Sequence, residues 1–461
     1  MHPLLVNRVI FPVQEWLKGK PTHAWLRELE RTQWLDPQEL RGLQLQRLRQ
    51  FLEFAYREVP YYTRLLDAHG LQPRQITSLQ EFTRIPYLNK EILRTHFNEL
   101  HPRTPLRGVK RKNTGGSTGS PVSVLVDRQR MAVTDAMRLR AHRWFGVDVG
   151  AREVALWGSP IELTKQDRLR KIRDRLINSR LLSAFDMGEP ALARYAEFIR
   201  RYRPEKIFTY SSAVYLFARY LKRQGWKAEP GWPRVVFTTA EPLYDFQRAM
   251  IESVFGCPAS IEYGCREGGL IANECPAGGL HINAEGMIVE ILQGSAELGE
   301  EAGELVITNL YSSAMPIIRY RTGDVVSGMT EEKCRCGRGL PRLRSVEGRR
   351  SDFLVTPKGR IIHGQAAAYL LREAPSIRES VREFQVTQER LDHVTVRIVP
   401  ANGVSDTIRE AIVSRLALLF LGDVAVDVEV VDAIDRLASG KRRDVVSTVG
   451  DEYIERIVQG K

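Results

Sequence analysis

The stretch NTGGSTGSP, Asn113 to Pro121, runs directly into the alternating apolar segment Val122-Ser123-Val124-Leu125-Val126. Three glycines and four hydroxyl side chains occupy nine positions ahead of a β-like run. Glycine lets a backbone approach a ligand and turn its N–H groups inward, and Ser and Thr add donors without bulk, so such a loop can wrap phosphates. The same composition also makes plain turns, and both readings stand at this point. The loop does not end in the Gly-Lys-Ser/Thr of a P-loop, and Pro121 argues against a helix starting there.

Working outward, the downstream pattern alternates strand and helix. Residues 128–145 read as a helix, 153–157 as a strand, 206–210 as a strand and 213–224 as a helix. A strand at 234–239, a helix at 246–255 and a strand at 259–263 follow. This rhythm predicts an α/β fold with a largely parallel, helix-covered sheet. From 281 to 326 strand–turn–strand spacing predicts a more barrel-like β subdomain. Upstream, 38–57 places Leu43, Leu45, Leu48, Phe51, Leu52 and Phe54 at helical intervals, and Val59-Pro60 ends that helix. Beyond Gly348 to Ser351 a hairpin at 351–363, a helix at 364–372, two strands in 380–399, a helix at 406–419 and a strand at 424–431 predict a small α+β unit.

At 461 residues the chain is too long for one ordinary domain. The reading is residues 1–348 as a large N-terminal domain with a helical lead-in over 1–100, and 349–461 as a small, mobile C-terminal domain. A net charge of +12 favours anionic ligands, but it is dispersed and accompanied by no nucleic-acid-binding signature, so no nucleic-acid partner is expected. No apolar run is long enough to span a bilayer, and the first twenty residues hold only a short apolar patch without a cleavage site, so a cytoplasmic location is expected. Residues 168–180, RLRKIRDRLINSR, set Leu169, Ile172 and Leu176 opposite a face of arginines. That segment is either a helix lying on a membrane surface or an ordinary amphipathic helix with its basic side in water.

Four further motifs carry chemistry, each with a plainer alternative. Tyr263-Gly264-Cys265-Arg266-Glu267 follows a strand end, where a carboxylate can hold Mg²⁺ against phosphate, or simply face solvent. Asp324, in Arg321-Thr322-Gly323-Asp324, can accept ribose hydroxyls or serve turn chemistry alone. Arg349, after Gly348, can grip a ribose or phosphate, or make a surface ion pair. Lys441, in Ser439-Gly440-Lys441, can neutralise charge during acyl activation, or stand in a solvated basic turn.

In order and spacing these motifs, with Leu48-Phe54-Pro60-Tyr61-Tyr62 and Ala240-Glu241-Pro242, resemble the adenylate-forming (acyl-activating) enzymes, in the branch of the phenylacetate–CoA ligases and their capsule-polysaccharide relatives. The resemblance covers most of the chain. It implies that Thr114, Gly115, Gly116, Ser117, Thr118 and Gly119 hold the ATP phosphates, and that Ala240, Glu241 and Pro242 with Tyr263 and Gly264 flank the adenine. It implies further that Glu267 meets Mg²⁺, that Asp324 and Arg349 fix the ribose, and that Lys441 serves adenylation from the mobile C-terminal domain. Trp157, Tyr210, Ser211 and Tyr215 would line the pocket for a small-molecule carboxylic acid. The implied reaction makes acyl-AMP and pyrophosphate, then passes the acyl group to coenzyme A. The alternatives are transfer to an amine, hydroxyl or carrier protein, or a ligase scaffold that only binds. Two positions depart from the family pattern. Val122 stands where many members carry lysine, and Ser351 separates Gly348-Arg349-Arg350 from Asp352.

Apart from ATP, Cys275 and His281 in one Gly/Pro turn and Cys334 and Cys336 in another supply three thiolates and an imidazole. That is a complete ligand set for a structural Zn²⁺, and reduced surface cysteines are the alternative. Composition says nothing of oligomeric state.

Overall fold

The computed structural model describes residues 1–113, 122–157, 173–184, 187–293, 302–349, 352–401, 403–435, 443–450 and 452–453. The central sheet has nine strands. In spatial order they are Met329–Thr330, Arg342–Leu343, Leu280–Ile282, Gly269–Glu274, Ala259–Cys265, Val235–Thr239, Lys206–Thr209, Glu153–Trp157 and Ser179–Ser183. The last five run parallel, and the first four continue the sheet antiparallel. Val235–Thr239 (VVFTT) shows why the middle is parallel: apolar on both faces, it needs cover on both sides. Alternate residues of a strand face opposite ways. Val236 packs towards the Ser211–Arg223 and Asp245–Phe255 helices with Phe217, Ile251 and Phe255. On the other face Phe237 stacks on His142 of the Arg128–Trp144 helix, ring centroids 4.0 Å apart.

The Arg128–Trp144 helix is held at its start by Asp127, whose carboxylate accepts Arg130 N at 2.8 Å and Ala314 N at 2.9 Å. The second bond ties the helix to the β subdomain. That subdomain is a four-stranded antiparallel sheet of Met287–Gln293, Gly303–Asn309, Ile317–Val326 and Val346–Arg349. It shares a core with the helical lead-in, where Leu48, Phe51, Leu52 and Phe82 meet Ile307, Ile317 and Tyr320. Tyr62 pins the two together by donating from its hydroxyl to Pro316 O at 2.9 Å.

Several local expectations change. The helix expected over 38–57 is Pro37–Glu58, opened by a capping box of Asp36 and Glu39, and Val59-Pro60 does end it. Pro60 then begins a new helix, Pro60–Ala68, because proline's fixed φ and missing N–H cost nothing in a first turn. Within the first twenty residues, read as holding only a short apolar patch, residues 3–17 are helical: Pro3–Leu5, a π turn at Val6–Ile10, and Phe11–Leu17. The basic segment expected as one helix over 168–180 lies outside the described residues up to 172. Residues 173–176 are helical, and Ser179 already begins an edge strand. Asn178 makes the break: it takes a left-handed φ of 58°, and its amide donates to Gly150 O at 2.8 Å and Met1 O at 2.9 Å.

The C-terminal part has a core of its own, from Leu354 through Ala367, Val386, Val396, Ile412 and Leu416 to Val445. Its sheet orders Ala425–Val430, His393–Pro400, Val381–Arg390 and Val445–Ser447, and the Phe353–Val355 and Ile361–His363 hairpin stands beside it. No helix among the described residues is long and apolar enough to cross a membrane.

Candidate active site and candidate metal centre

The parallel strands end their carboxyl termini along one edge of the sheet, where ligands bind in open α/β folds. Ala259–Cys265 is the last of them. It turns through Arg266, Glu267 and Gly268 into the antiparallel Gly269–Glu274. Gly264 is required near the end of that strand, since a Cβ there would lie 2.4 Å from Gly269 O. From this strand Tyr263 donates its phenol to Asp324 Oδ2 at 2.7 Å. Asp324 stands in the neighbouring Ile317–Val326 strand just after Gly323, whose left-handed φ of +77° turns its N–H to Glu304 Oε1 at 3.0 Å. Across the ladder from Asp324, in register, is Arg349. Three motifs widely separated in the sequence thereby become neighbours.

Glu267 is buried in the same place. The backbone that carries it is held by Arg130, whose Nη2 donates to Arg266 O at 3.0 Å and Glu267 O at 2.7 Å, while Nη1 reaches Ser312 Oγ at 3.0 Å. Burial, then the charges of Glu267 and Asp324, hold the Cys265 thiol well above its ordinary value. Burial, then Glu267, does the same to the Tyr320 phenol. At pH 7 Cys265 is a neutral thiol, an unreactive one.

The glycine loop itself, Thr114, Gly115, Gly116, Ser117, Thr118 and Gly119 with Ser120 and Pro121, lies outside the described residues, as does Lys441. The stem of the loop is described. Lys110–Asn113 pairs antiparallel with Ser123–Val126, so the loop leaves from Asn113 and returns at Val122. The Arg266 guanidinium donates to Asn113 O, which sets the loop's entry beside the turn that holds Glu267. Two residues beyond Lys441 in sequence, Arg443 pairs with Asp352.

Ala240, at the end of Val235–Thr239, takes a left-handed φ of 68°. Glu241 is turned by it to accept Ser212 N at 3.0 Å, in the first turn of the Ser211–Arg223 helix. Trp157 and Tyr210, at two adjacent strand ends, stack face to face at 4.0 Å. Tyr215 packs edge-on against Phe246 at 5.3 Å, and Ser211 is fully buried, its hydroxyl 3.4 Å from Glu241 O.

Beneath this edge runs a buried ionic chain that periodicity alone had not singled out. Glu262, the residue before Tyr263, accepts from Arg138 Nε at 2.9 Å and lies 2.9 Å from His142 Nε2. His142 Nδ1 is 3.0 Å from Lys206 Nζ, and Lys206 pairs with Glu153 at 2.8 Å. Burial and then Lys206 press His142 down to about 4, so it stays neutral. Burial opposes ionisation of Glu262, but Arg138 and His142 bring it down to about 2. The available signal was the polar series Arg130, Thr134, Arg138 and His142, spaced as one face of a helix usually buried by apolar residues.

The cysteine–histidine set does assemble. Gly278 N closes the first turn on Cys275 O at 2.8 Å, and Gly337 N closes the second on Cys334 O at 2.9 Å. The ligating atoms of Cys275, His281, Cys334 and Cys336 all lie within 4.8 Å of one another. Cys275 Sγ and Cys334 Sγ are 3.8 Å apart, and His281 Nε2 is 3.2 Å from Cys336 Sγ. With zinc–sulfur bonds of about 2.3 Å, a regular tetrahedron has sulfur–sulfur edges of about 3.8 Å. His281 Nδ1 lies 2.9 Å from Leu340 O, which orients Nε2 toward the sulfurs. Burial holds this imidazole at about 4, so it is neutral at pH 7, the form that ligates a metal.

With this geometry in view, residues 354–448 match the family model of the CapK C-terminal domain. The chain is 24% identical over 436 residues to Protein CapK of Staphylococcus aureus, covering 94% of each. It is 27% identical over 389 residues to the phenylacetate–coenzyme A ligase of Thermus thermophilus, spanning 79% of this chain and 82% of that one. The crystal structure of 2-hydroxyisobutyryl-CoA ligase in the postadenylation state, in complex with R3-HIB-AMP, matches with a TM-score of 0.71 over 94% of both chains at 19% identity. The chain therefore shares the fold of 2-hydroxyisobutyryl-CoA ligase. In sequence the chain is similar to the phenylacetate–coenzyme A ligases and to Protein CapK.

Proposed function

We propose that this protein is an AMP-forming acid–thiol ligase: it activates a carboxylic acid with ATP as acyl-AMP, releases pyrophosphate, and passes the acyl group to coenzyme A. The observation that carries the reading is the gathering of Tyr263, Asp324, the Glu267 turn and the stem of the glycine loop at one end of the sheet. Relatives named phenylacetate–coenzyme A ligase support the substrate class.

Asp324 accepts the ribose hydroxyls in this proposal, kept in place by Tyr263 and joined by Arg349 from the next strand. Ala240, Glu241 and Pro242 pass along the adenine, beside Tyr263 and Gly264. Thr114, Gly115, Gly116, Ser117, Thr118 and Gly119 hold the phosphates. Glu267 is an acceptor suited to Mg²⁺, which when bound supplies charge neutralisation for the phosphates. The acid sits near Trp157, Tyr210, Ser211 and Tyr215. Its carboxylate attacks the α-phosphate while Lys441 balances the growing negative charge, so the protein's contribution is positioning and electrostatics. The C-terminal unit, with its separate core, is a domain beginning at residue 349 that rotates between the two half-reactions. The Cys275, His281, Cys334 and Cys336 set holds a structural Zn²⁺ that fastens the antiparallel edge of the sheet.

Pyrophosphate release across a panel of carboxylic acids tests the first step, and coenzyme A dependence of AMP release tests the second. Lys441→Ala should abolish adenylation while leaving the fold intact. ATP binding with no acid-dependent pyrophosphate release would overturn the reading.

A further inference from the structure

The first seventeen residues form one helical rod whose outer side is apolar and uncovered. Met1, Leu4, Leu5, Val9, Val13, Trp16 and Leu17 are exposed, Trp16 at 77% and Leu17 at 72%. Leu5, Val9, Val13 and Leu17 recur every four residues. On an α-helix such a series drifts about 40° per step, and the wider π turn at Val6–Ile10 takes part of the drift back, keeping the stripe on one side. The inner side is anchored. Val6 is buried, Asn7 donates to Asp148 Oδ2 at 2.9 Å, and Phe11 packs on the His23 ring at 5.3 Å. Glu15, the only acidic residue in the first twenty, is buried and held by Lys18, Lys20 and Thr22. The outward side thus carries apolar groups and the exposed cation Arg8, without an acid of its own.

A second segment extends the same surface. The Asn178 amide bonds Met1 O, which brings residues 173–181 alongside the rod's start. There Leu176 and Leu181 are exposed, as are Arg173 and Arg175, with Arg173 paired to Asp174. Aliphatic side chains and a tryptophan ringed by arginine form the pattern of a helix lying in a lipid interface. A second copy of the chain fits worse, because a two-fold contact would bring the same basic face of both copies together.

We propose that this face docks on an anionic lipid bilayer, with the Leu5–Leu17 stripe entering the headgroup layer and Arg8 and Arg175 meeting lipid phosphates. The protein then works at a membrane surface without crossing it.

Co-sedimentation of the full chain with vesicles tests this. One set is phosphatidylcholine alone and the other contains about 30% phosphatidylglycerol. The full chain should partition onto the anionic vesicles, less so at high salt and hardly at all onto phosphatidylcholine. Trp16→Ser with Leu17→Ser, and separately Arg8→Glu, should each lower that partition at least about tenfold with an unchanged thermal midpoint. Because Arg8 is a surface charge, its variant keeps the test open if the double substitution folds poorly. Equal partition by the variants, no partition by the unaltered chain, or a concentration-dependent dimer that Trp16→Ser with Leu17→Ser dissolves would each overturn the proposal.

Discussion

Tyr263 and Asp324, 61 residues apart in sequence, are joined by a 2.7 Å hydrogen bond from the phenol to Oδ2. The bond links the end of the last parallel strand to the β subdomain and gives the carboxylate one fixed donor. Tyr263→Phe keeps the ring and removes that donor. Losing a hydrogen bond to a charged group costs about 1.5–3 kcal/mol. The KM for ATP should rise about tenfold or more with kcat little changed, read from initial rates of pyrophosphate release.

Glu267 is buried, and its charge is felt by Cys265 and Tyr320. Glu267→Gln has the same shape without that charge. Acid-dependent pyrophosphate release should fall at least about a hundredfold, and the Mg²⁺ concentration for half-maximal rate should rise. A variant with the unaltered protein's Mg²⁺ dependence would remove Glu267 from the phosphate site.

Metal analysis of the purified protein should find one zinc per chain, and Cys334→Ser should lose it. Chelation should lower the thermal midpoint by about 5 °C or more, as loss of a structural site does. Unaltered protein that is metal-free and well folded would refute the site.

His142 titrates near about 4 in the folded protein and near 6.5 when unfolded. Between those values the unfolded chain binds the extra proton, so stability is lost as pH falls from about 6.5 to about 4. Glu262 and Glu153, both held near about 2 against 4.5 unfolded, add a second loss below pH 4.5. His142→Gln should flatten the upper leg of the thermal midpoint against pH and leave the lower one.

Much of the architecture was legible from local chemistry. The alternation of Glu153–Trp157, Lys206–Thr209, Val235–Thr239 and Ala259–Cys265 with their helices shows in apolar periodicity, and the small C-terminal unit in its own strands and helices. The motif residues could be named because glycine, proline and acidic turns mark strand ends. Arg130, Arg138 and Glu262 could not. A buried charge looks like a surface charge until its partner is known, and their partners lie 120 to 182 residues away. Nor could the Asn178 break, whose cause is a side-chain bond to Gly150 and Met1.

The amino-acid order alone determined where most strands, helices and glycine-rich turns fall, because those depend on neighbours within a few residues. Only the tertiary structure decided that Tyr263 meets Asp324, that four distant cysteine and histidine side chains share one small volume, and that the first helix leaves its apolar side bare. Those outcomes depend on which surfaces pack against which, and packing joins residues that the chain itself keeps far apart.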